Sequence, residues 1–512
     1  MKNHFHVFLP APVPQAQANR AALKSAVFND KNGNLRFLRS FRMTRLKSVC
    51  SKFITLLFLF SLAACQPAST KFTNTPSTQA ASTPQAASVP DVPSLLGVKE
   101  ETLKGLTIQV WHPWFGVEAN LFESQAQAFN QTNPYGIIVQ STSQIDYNEL
   151  FQSVTAVLPT PNRPQVVIGL PEHALAWNAD NYVTDLNNYV NDPKYGFSDS
   201  DVKDFPSAFW NQDSIGGHRL GLPAERSARF LLYDVTWARQ LGFDVAPTTA
   251  DEFKTQACAA HAALLNDKDR SNDAMGGWLV DAQSMTALSW LTAFGGGALD
   301  GNNYRFLTPN NIAAFTFVKE LFDAGCAWSL PDSSGAFDAF ANRKALFSTA
   351  SLEDLSDQSR AFSAANNSDE WTVLAFPGTV QSGLIIYGSS YIILNSTAEQ
   401  QLASWLFVRW MLSSENQAKW VQVTDLFPLR ASSLDLLKDY GDSHPQWGAA
   451  IALLPSAEIQ PQLASWRTVR IMLGDGFDNM FRTELNNQPV VISNQPAAIL
   501  QQMDTIAHDL AK

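Results

Sequence analysis

A basic and then apolar run of the chain ends in the four residues Leu62-Ala63-Ala64-Cys65. Positive charge, then an apolar stretch too short to span a bilayer, then small residues, is typical of a secretory signal peptide rather than a transmembrane helix. A cysteine at the cleavage position supplies a thiol for acylation. We therefore predict removal of residues 1–64 and a lipid anchor on Cys65. The alternative is a buried apolar helix that merely contains a cysteine.

The start of the reading frame has two candidates, Met1 and Met43. The 42 residues before Met43 show no helical or strand period, and Met43 would begin a complete export signal by itself. We therefore interpret residues 1–64 as an upstream extension plus a lipoprotein signal peptide. Residues 65–103 follow as the lipidated cysteine and a flexible tether, because this stretch begins with mostly Ser, Thr, Ala, Gln and Pro.

Two further cysteines, Cys258 and Cys326, lie in the exported body. Outside the cytoplasm an isolated pair is typical of a disulfide rather than a metal site, with two buried free thiols as the alternative. A polar loop from Asp267 to Asp273 weakly resembles half a calcium loop, but Trp278 stands where the glutamate is needed, which favours a solvated turn. We expect no metal and no cofactor.

The charge of the exported chain excludes some partners. Residues 1–64 hold ten Lys and Arg and one Asp, so the remainder holds 26 basic and 46 acidic residues. An acidic body repels nucleic acid and anionic membrane surfaces, so we expect neither as a partner apart from the lipid anchor itself. The 448 residues after the signal exceed one core and suit two lobes, in a protein that we expect to be a monomer.

Strands and helices alternate along the body. Short apolar runs rich in β-branched residues predict strands at 106–111, 137–140 and 164–169, and helical spacing predicts helices between them. The same pattern returns after Pro223, and an amphipathic helix is predicted at 398–411. This alternation predicts an α/β protein with mostly parallel sheets.

Several ordered segments resemble the extracellular solute-binding proteins of carbohydrate ABC importers, of the maltose-binding type. The similarity runs from residue 106 to the C-terminus and is specific through the order of its segments: residues 110–116, 222–233, 292–296, 347–351, 403–411 and 415–430. One departure is Asp425, where many relatives have a glycine. The resemblance implies a periplasmic-binding-protein-like fold of two α/β lobes with a multi-crossing hinge. It assigns residues 104–222 and 384–428 to lobe 1, and residues 223–383 and 429–512 to lobe 2.

The resemblance further implies a cleft that closes on a sugar, which needs aromatic planes for its faces and polar groups for its hydroxyls. Trp111 and Trp114 follow the first strand, where ligands of α/β lobes bind. Trp290 precedes Gly295 and Gly296, whose bare backbone permits close approach of a ligand, although the glycines equally fit a helix C-cap.

The other predicted ligand-binding residues flank the lobe crossings. Glu225 and Arg226 follow the first crossing and suit charge-assisted bonds to hydroxyls, with an interlobe salt bridge as the alternative. Tyr387 follows the second crossing and Trp420 precedes the third, with simple packing as the alternative for both.

The resulting prediction is a lipid-anchored binder on the outer face of the cytoplasmic membrane that delivers a carbohydrate to ABC permease subunits without catalysis. A polyol or a glycerol phosphodiester is an alternative ligand. A lipid-anchored glycoside hydrolase is the alternative enzyme, since paired carboxylates need no fixed spacing. Metalloprotease and serine-hydrolase motifs are absent from the sequence, and we assign no catalytic residue.

Overall fold

The computed structural model describes residues 93–330, 335–482 and 494–511, together with the backbone of 484–485 and 488–489. The signal segment, the tether and Cys65 lie outside these residues. The strands are β1 (Thr107–His112), β2 (Ile138–Ser143), β3 (Val166–Gly169), β4 (Ser214–Ile215), β5 (His218–Arg219), β6 (Leu222–Pro223), β7 (Ser227–Ala228), β8 (Phe230–Asp234), β9 (Gly276–Leu279), β10 (Leu299–Asp300), β11 (Asn303–Tyr304), β12 (Ala327–Trp328), β13 (Ala345–Ala350), β14 (Trp371–Leu374), β15 (Ile386–Tyr387), β16 (Ser390–Ile393), β17 (Glu484–Leu485) and β18 (Gln488–Pro489).

The helices surround these strands. They are α1 (Gly116–Thr132), α2 (Tyr147–Val157), α3 (Pro171–Asn178), α4 (Asn187–Val190), α5 (Asp199–Lys203), α6 (Ser207–Gln212), α7 (Val235–Gln240), α8 (Ala250–Leu265), α9 (Ser284–Ala293), α10 (Pro309–Asp323), α11 (Ala336–Ala341), α12 (Leu355–Ala364), α13 (Ala398–Met411), α14 (Ser414–Thr424), α15 (Lys438–Ser443), α16 (Pro445–Leu453), α17 (Trp466–Asn479) and α18 (Pro496–Leu510). Within the described residues, no helix combines the length and apolar character that a membrane crossing requires.

Two five-stranded sheets define two α/β lobes. The sheet of lobe 1 has the order β2-β1-β3-β16-β6, and that of lobe 2 has the order β12-β9-β13-β8-β14. β16 comes from much later in the chain than the other strands of lobe 1, and it lies antiparallel beside β3. This arrangement confirms the predicted fold class. The residue limits given above for each lobe stay a prediction.

Local sequence explains how the lobe elements begin. β1 alternates half-buried and buried residues, as a strand covered unequally on its two faces does. The carboxylate of Asp146 caps α2 by accepting from the backbone N–H groups of Asn148 and Glu149. Thr397 and Gln400 form a capping box at the start of α13, which spans the predicted 398–411.

Cys258 of α8 and Cys326, just before β12, are joined in a disulfide, with 4.5 Å between their Cα atoms. This is the pairing predicted from the sequence. The bridge ties a helix of lobe 2 to an edge strand of the same lobe. Intact-mass measurement under alkylation is therefore expected to find two reactive thiols only after reduction. Two alkylated cysteines in the untreated protein would contradict the bridge.

Asp425 ends α14 with a backbone φ of 60°, in the left-handed region that favours glycine. Its carboxylate accepts a hydrogen bond of 2.6 Å from the Ser356 hydroxyl and another from the Tyr440 hydroxyl. The turn therefore keeps a conformation that glycine adopts freely, and two hydroxyl groups hold the aspartate there.

Candidate functional site

A hinge joins the two lobes, formed by residues 223–229 and 384–390. β6 pairs with β16 in lobe 1, while β7 pairs with β15, with Ser227 opposite Tyr387. The third crossing passes close by, since the Phe427 N–H donates to the Arg226 carbonyl over 3.0 Å. Two adjacent strand pairs and a third segment of the chain thus connect the lobes.

A cavity of about 1030 Å³ lies at the carboxyl ends of the lobe 2 strands. Its walls include residues that follow β9 and β12, among them Asp281, Ser284 and Leu330, and residues of α17. Arg470 of α17 also reaches lobe 1, where its guanidinium lies 3.2 Å from the Glu172 carboxylate of α3. The cavity is lined by residues of lobe 2 and by Arg229 of the hinge, at the strand ends where α/β folds bind ligands.

Arg226 is fully buried in the hinge. Its guanidinium donates to the Asp213 carboxylate over 2.8 Å and to the carbonyls of Glu225 and Ser389 over 2.7 and 2.5 Å. Burial lowers its pKa, and the Asp213 charge opposes that shift. Arg226 therefore lies in the hinge framework, holding both hinge strands, and not at the surface of the cleft.

Glu225, the residue before it, is also buried in the hinge. Its carboxyl accepts hydrogen bonds from the hydroxyls of Tyr147 over 3.1 Å and Ser389 over 3.0 Å. Burial raises its pKa to about 7, the hydrogen bonds from Ser389 and Tyr147 oppose the rise, and the charge of Glu353 adds to it. Glu225 is thus a poorly solvated carboxyl between hydroxyl groups, as a sugar-binding acceptor would be.

Glu353 lies after β13 in lobe 2 and receives a hydrogen bond of 2.7 Å from the Ser227 hydroxyl of the hinge. Its side chain is exposed, yet desolvation raises its pKa, as expected on the wall of a deep cleft. Tyr387 is half-buried beside it, and the same desolvation and the Glu353 charge raise the pKa of this tyrosine. These side chains from hinge and lobe 2 form one polar surface.

Arg229 connects this surface to the large cavity, which it also lines. Its guanidinium lies 2.7 Å from the Asp281 carboxylate and 3.5 Å from that of Asp354. Asp281 also accepts from the Thr286 hydroxyl in the first turn of α9. The arginine is therefore held by two carboxylates at the mouth of the cleft.

Trp114 and Trp420 pack against each other, with ring centroids 4.6 Å apart. Both are nearly buried, and the indole N–H of Trp420 lacks a hydrogen-bond partner among the described residues. The indole of Trp114 lowers the pKa of Glu225, which places it beside that carboxyl. Trp111 lies within β1, half-buried against the core beneath α2. The structure thus places Trp114 beside Glu225 and packs Trp420 against Trp114 in the core, while Tyr387 lies opposite Ser227 in the hinge.

Trp290 lies elsewhere, fully buried in the core of lobe 2. Its ring packs against Phe376, Phe253 and Trp278 at centroid distances of 5.2, 5.4 and 5.6 Å. α9 begins at the cleft with Ser284, so Trp290 lies about 9 Å further along the helix axis at 1.5 Å per residue. No face of its indole is open to a ligand.

Gly295 and Gly296 close the far end of α9. Gly295 has a φ of 75°, and the two N–H groups donate to the carbonyls of Thr292 and Leu291. This is the helix C-cap that the sequence left open as an alternative. Gly296 also lines a second cavity, of about 670 Å³, at that end of the helix. The glycines are therefore separate from the Glu225 and Tyr387 surface.

Sequence reasoning missed four residues of the site: Tyr147, Arg229, Asp281 and Glu353. Tyr147 follows the Asp146 N-cap shortly after β2, and Glu353 and Asp354 come three and four residues after the buried strand β13. Polar residues at strand carboxyl ends were the available signal. Within the described residues, no group of three or more His, Cys, Asp or Glu side chains is placed to hold a metal ion.

Replacing Glu225 with Gln tests the electrostatics of the site. Because folding raises this pKa above its usual 4.5, the carboxyl stabilises the fold fully below pH 4.5 and that contribution is lost as pH rises through about 7. Relative to Glu225→Gln, the parent should lose about 3 kcal/mol of unfolding free energy between acidic pH and about pH 8. Denaturant melts at both pH values measure this. An equal difference between the proteins at both would contradict the raised pKa.

Two α/β lobes joined by a hinge of strand pairs form the fold that solved binding proteins of the periplasmic type share. Residues 124–452 match the model of the bacterial extracellular solute-binding protein family, and the chain belongs to that family. It is 22% identical over 363 residues to the sn-glycerol-3-phosphate-binding periplasmic protein UgpB of Salmonella typhimurium, covering 69% of this chain and 81% of that protein.

Solved structures share the fold. The sugar-binding protein MalE of Xanthomonas citri superposes with a TM-score of 0.66 at 18% identity, over 79% of this chain and 97% of that one. The cyclic alpha-maltosyl-1,6-maltose binding protein of Arthrobacter globiformis gives 0.64 at 16%, over 80% and 99%. UgpB of Mycobacterium tuberculosis in complex with glycerophosphocholine gives 0.62 at 17%, over 79% and 98%.

Proposed function

We propose that this protein captures a hydroxyl-rich small solute, such as a sugar or oligosaccharide, outside the cytoplasm and delivers it to an ABC import permease. The observation that carries this proposal is the surface of Glu225, Glu353, Tyr147 and Tyr387, contributed by both lobes and the hinge. Carboxyl and hydroxyl groups bind sugar hydroxyls, and aromatic rings cover sugar faces. The ligands of two similar proteins, cyclic alpha-maltosyl-1,6-maltose and sn-glycerol 3-phosphate, support the same class of solute.

The hinge supplies the conformational change that delivery needs. Ligand contacts from both lobes favour the closed form over the open one, and the permease would recognise the closed form. The chain acts in this proposal as a binder without chemistry, with no cofactor.

A thermal-shift screen over sugars and polyols tests the proposal. A ligand present at about 100 times its dissociation constant should raise the unfolding free energy by about 2.7 kcal/mol. Glu353→Ala should lose most of that gain because it removes an acceptor from the cleft wall. Glu415→Ala is the matched control, since Glu415 is exposed in the first turn of α14. Equal gains in the two variants would contradict the site.

The pair Glu225 and Glu353 is also the one observation that favours the alternative, a glycoside hydrolase. Prolonged incubation with the oligosaccharides that bind, followed by chromatography of the products, distinguishes the two functions. We expect the oligosaccharides to be recovered intact. Shortened products that disappear in Glu225→Gln would establish the hydrolase instead.

We propose lipid anchoring through Cys65 on the basis of the sequence preceding it. Cys65→Ser is expected to move the protein from the membrane fraction to the soluble extracytoplasmic fraction, because the acylated thiol is lost. Cell fractionation with a carbonate wash measures this, and a substitution in the tether, Ser69→Ala, is the control. Retention of Cys65→Ser on washed membranes would contradict the anchor.

A further inference from the structure

A groove of about 500 Å³ lies on the surface of lobe 1. Its walls come from the C-terminal part of α1, the turn that follows α1, the C-terminal part of α13 and the segment around Tyr195. α1 begins shortly beyond the carboxyl end of β1 and is about 25 Å long at 1.5 Å per residue, and the groove lies at its far end. The groove is therefore at the edge of lobe 1 where the chain enters β1, separate from the proposed solute site.

The lining of the groove is aromatic and cationic. Phe129 and Trp410 pack edge to face there, with ring centroids 5.7 Å apart, and Trp410 is only half-buried. Lys194 and Arg409 are the charged members of the lining, and none of the described residues that line the groove is a carboxylate. Such a surface is unusual on an exported chain that has far more acidic than basic residues. It fits an apolar segment that carries a negative charge.

Arg409 is the cation of this groove that lacks a counter-charge. It lies half-buried in the last turn of α13, and no carboxylate of the described residues pairs with its guanidinium. Charged groups that are partly removed from water are stabilised by an opposite charge nearby. Arg409 therefore indicates where a carboxylate would bind.

Asp192 connects the groove to the start of the described chain. One oxygen of its carboxylate accepts from the Ser94 hydroxyl and the Leu95 N–H over 2.9 and 2.8 Å. The other oxygen accepts from the N–H groups of Lys194 and Tyr195, two residues that line the groove, over 3.0 and 2.8 Å. The segment that precedes Ser94 is thereby attached beside the groove.

The six residues before Pro93 have the composition that the groove requires. They read Ala87-Ser88-Val89-Pro90-Asp91-Val92, and they contain both valines and the one carboxylate of residues 65–92. Proline-containing segments bind aromatic-lined grooves in an extended conformation that advances about 3.1 Å per residue, so six residues span about 19 Å. That length is enough to cross a groove of about 500 Å³ from its edge.

We propose that residues 87–92 bind in this groove of their own lobe, with Val89 and Pro90 on the Trp410 ring and the Asp91 carboxylate beside the Arg409 guanidinium. The segment is joined to the fold at Ser94, so its effective concentration at the groove is on the order of millimolar, and even a weak contact is populated. The contact holds the chain that leads to the lipid anchor on lobe 1. Residues 65–86 then form the spacer to the membrane.

Spin labels on the exported chain, residues 65–512 carrying Cys65→Ser, test this proposal. One protein carries the label on Ser88→Cys and another on Ser77→Cys, while the bridged Cys258 and Cys326 do not react. Electron paramagnetic resonance is expected to show an immobilised label at position 88 and a mobile one at position 77. Dilution should leave the immobilised fraction unchanged, because the contact lies within one chain.

Two results of this measurement would overturn the proposal. The first is a label at position 88 that is as mobile as the label at position 77. The second is an immobilised fraction that falls on dilution, which would assign the groove to a second copy of the chain.

Variants of the Ser88→Cys protein test the charge pair. Arg409→Gln should lower the ratio of immobilised to mobile label about fivefold, because one surface charge pair is lost, and Asp91→Asn should have the same effect. Arg360→Gln is the matched control, since it removes an exposed guanidinium of lobe 2, and it should leave the ratio as in the parent. Ratios in Arg409→Gln and Asp91→Asn that equal the ratio in Arg360→Gln would contradict the pairing of Asp91 with Arg409.

Discussion

Replacing Arg226 with Met is expected to lower the free energy of unfolding by about 3–5 kcal/mol. Arg226 is fully buried and Asp213 nearly so, and their side chains are 2.8 Å apart. Truncation leaves the Asp213 carboxylate buried without its counter-charge. It also removes the bonds to the carbonyls of Glu225 and Ser389, which join the two hinge strands.

Denaturant melts of Arg226→Met and of Arg239→Met provide the measurement. Arg239 pairs with Glu370 at the surface, so its removal should change stability by less than about 1 kcal/mol. A double variant, Arg226→Met with Asp213→Leu, should recover part of the loss, since no uncompensated charge remains. Equal losses in the two single variants would contradict the structural role of Arg226.

Replacing Trp290 with Ala is expected to cost about 3–5 kcal/mol of unfolding free energy and to leave the affinity of the folded protein unchanged. The indole fills the centre of the lobe 2 core, and its truncation leaves a cavity among Phe253, Trp278 and Phe376. Trp410→Ala is the control, because Trp410 is only half-buried in lobe 1 and should lose less.

The two measurements on Trp290→Ala are denaturant melts and titration with a solute found in the screen. The sequence-based prediction for Trp290 is the opposite pattern, a loss of affinity with little loss of stability. A roughly tenfold weaker affinity with stability changed by less than about 1 kcal/mol would support that prediction and contradict the core placement.

Much of the fold was predictable because local signals control it. The alternation in β1 and the capping box of α13 are short-range patterns, and both elements lie within a residue of their predicted limits. The resemblance then supplied the lobes, since the order of weak motifs along hundreds of residues is more specific than any one of them.

The site was less predictable because it depends on long-range pairing. Tyr147, Glu225 and Ser389 meet only because β6 and β7 pair with β16 and β15, far along the chain. Trp290 is the reverse case, because a residue predicted for the binding site lies in the core of lobe 2. A tryptophan before a glycine break marks the C-terminal part of a helix whether or not that part reaches a ligand, and only the tertiary packing shows that the Trp290 ring lies in the core.

The contact between Arg470 and Glu172 affects how fast a bound solute can leave. α17 packs on α9 in lobe 2, while its Arg470 binds the buried Glu172 in lobe 1 and Arg467 lies over the Phe151 ring at 4.5 Å. Any widening of the cleft must separate these groups, whichever solute is bound. The contacts between the lobes therefore set a minimum residence time for a captured molecule. Dissociation should be slow even for ligands that make few contacts of their own.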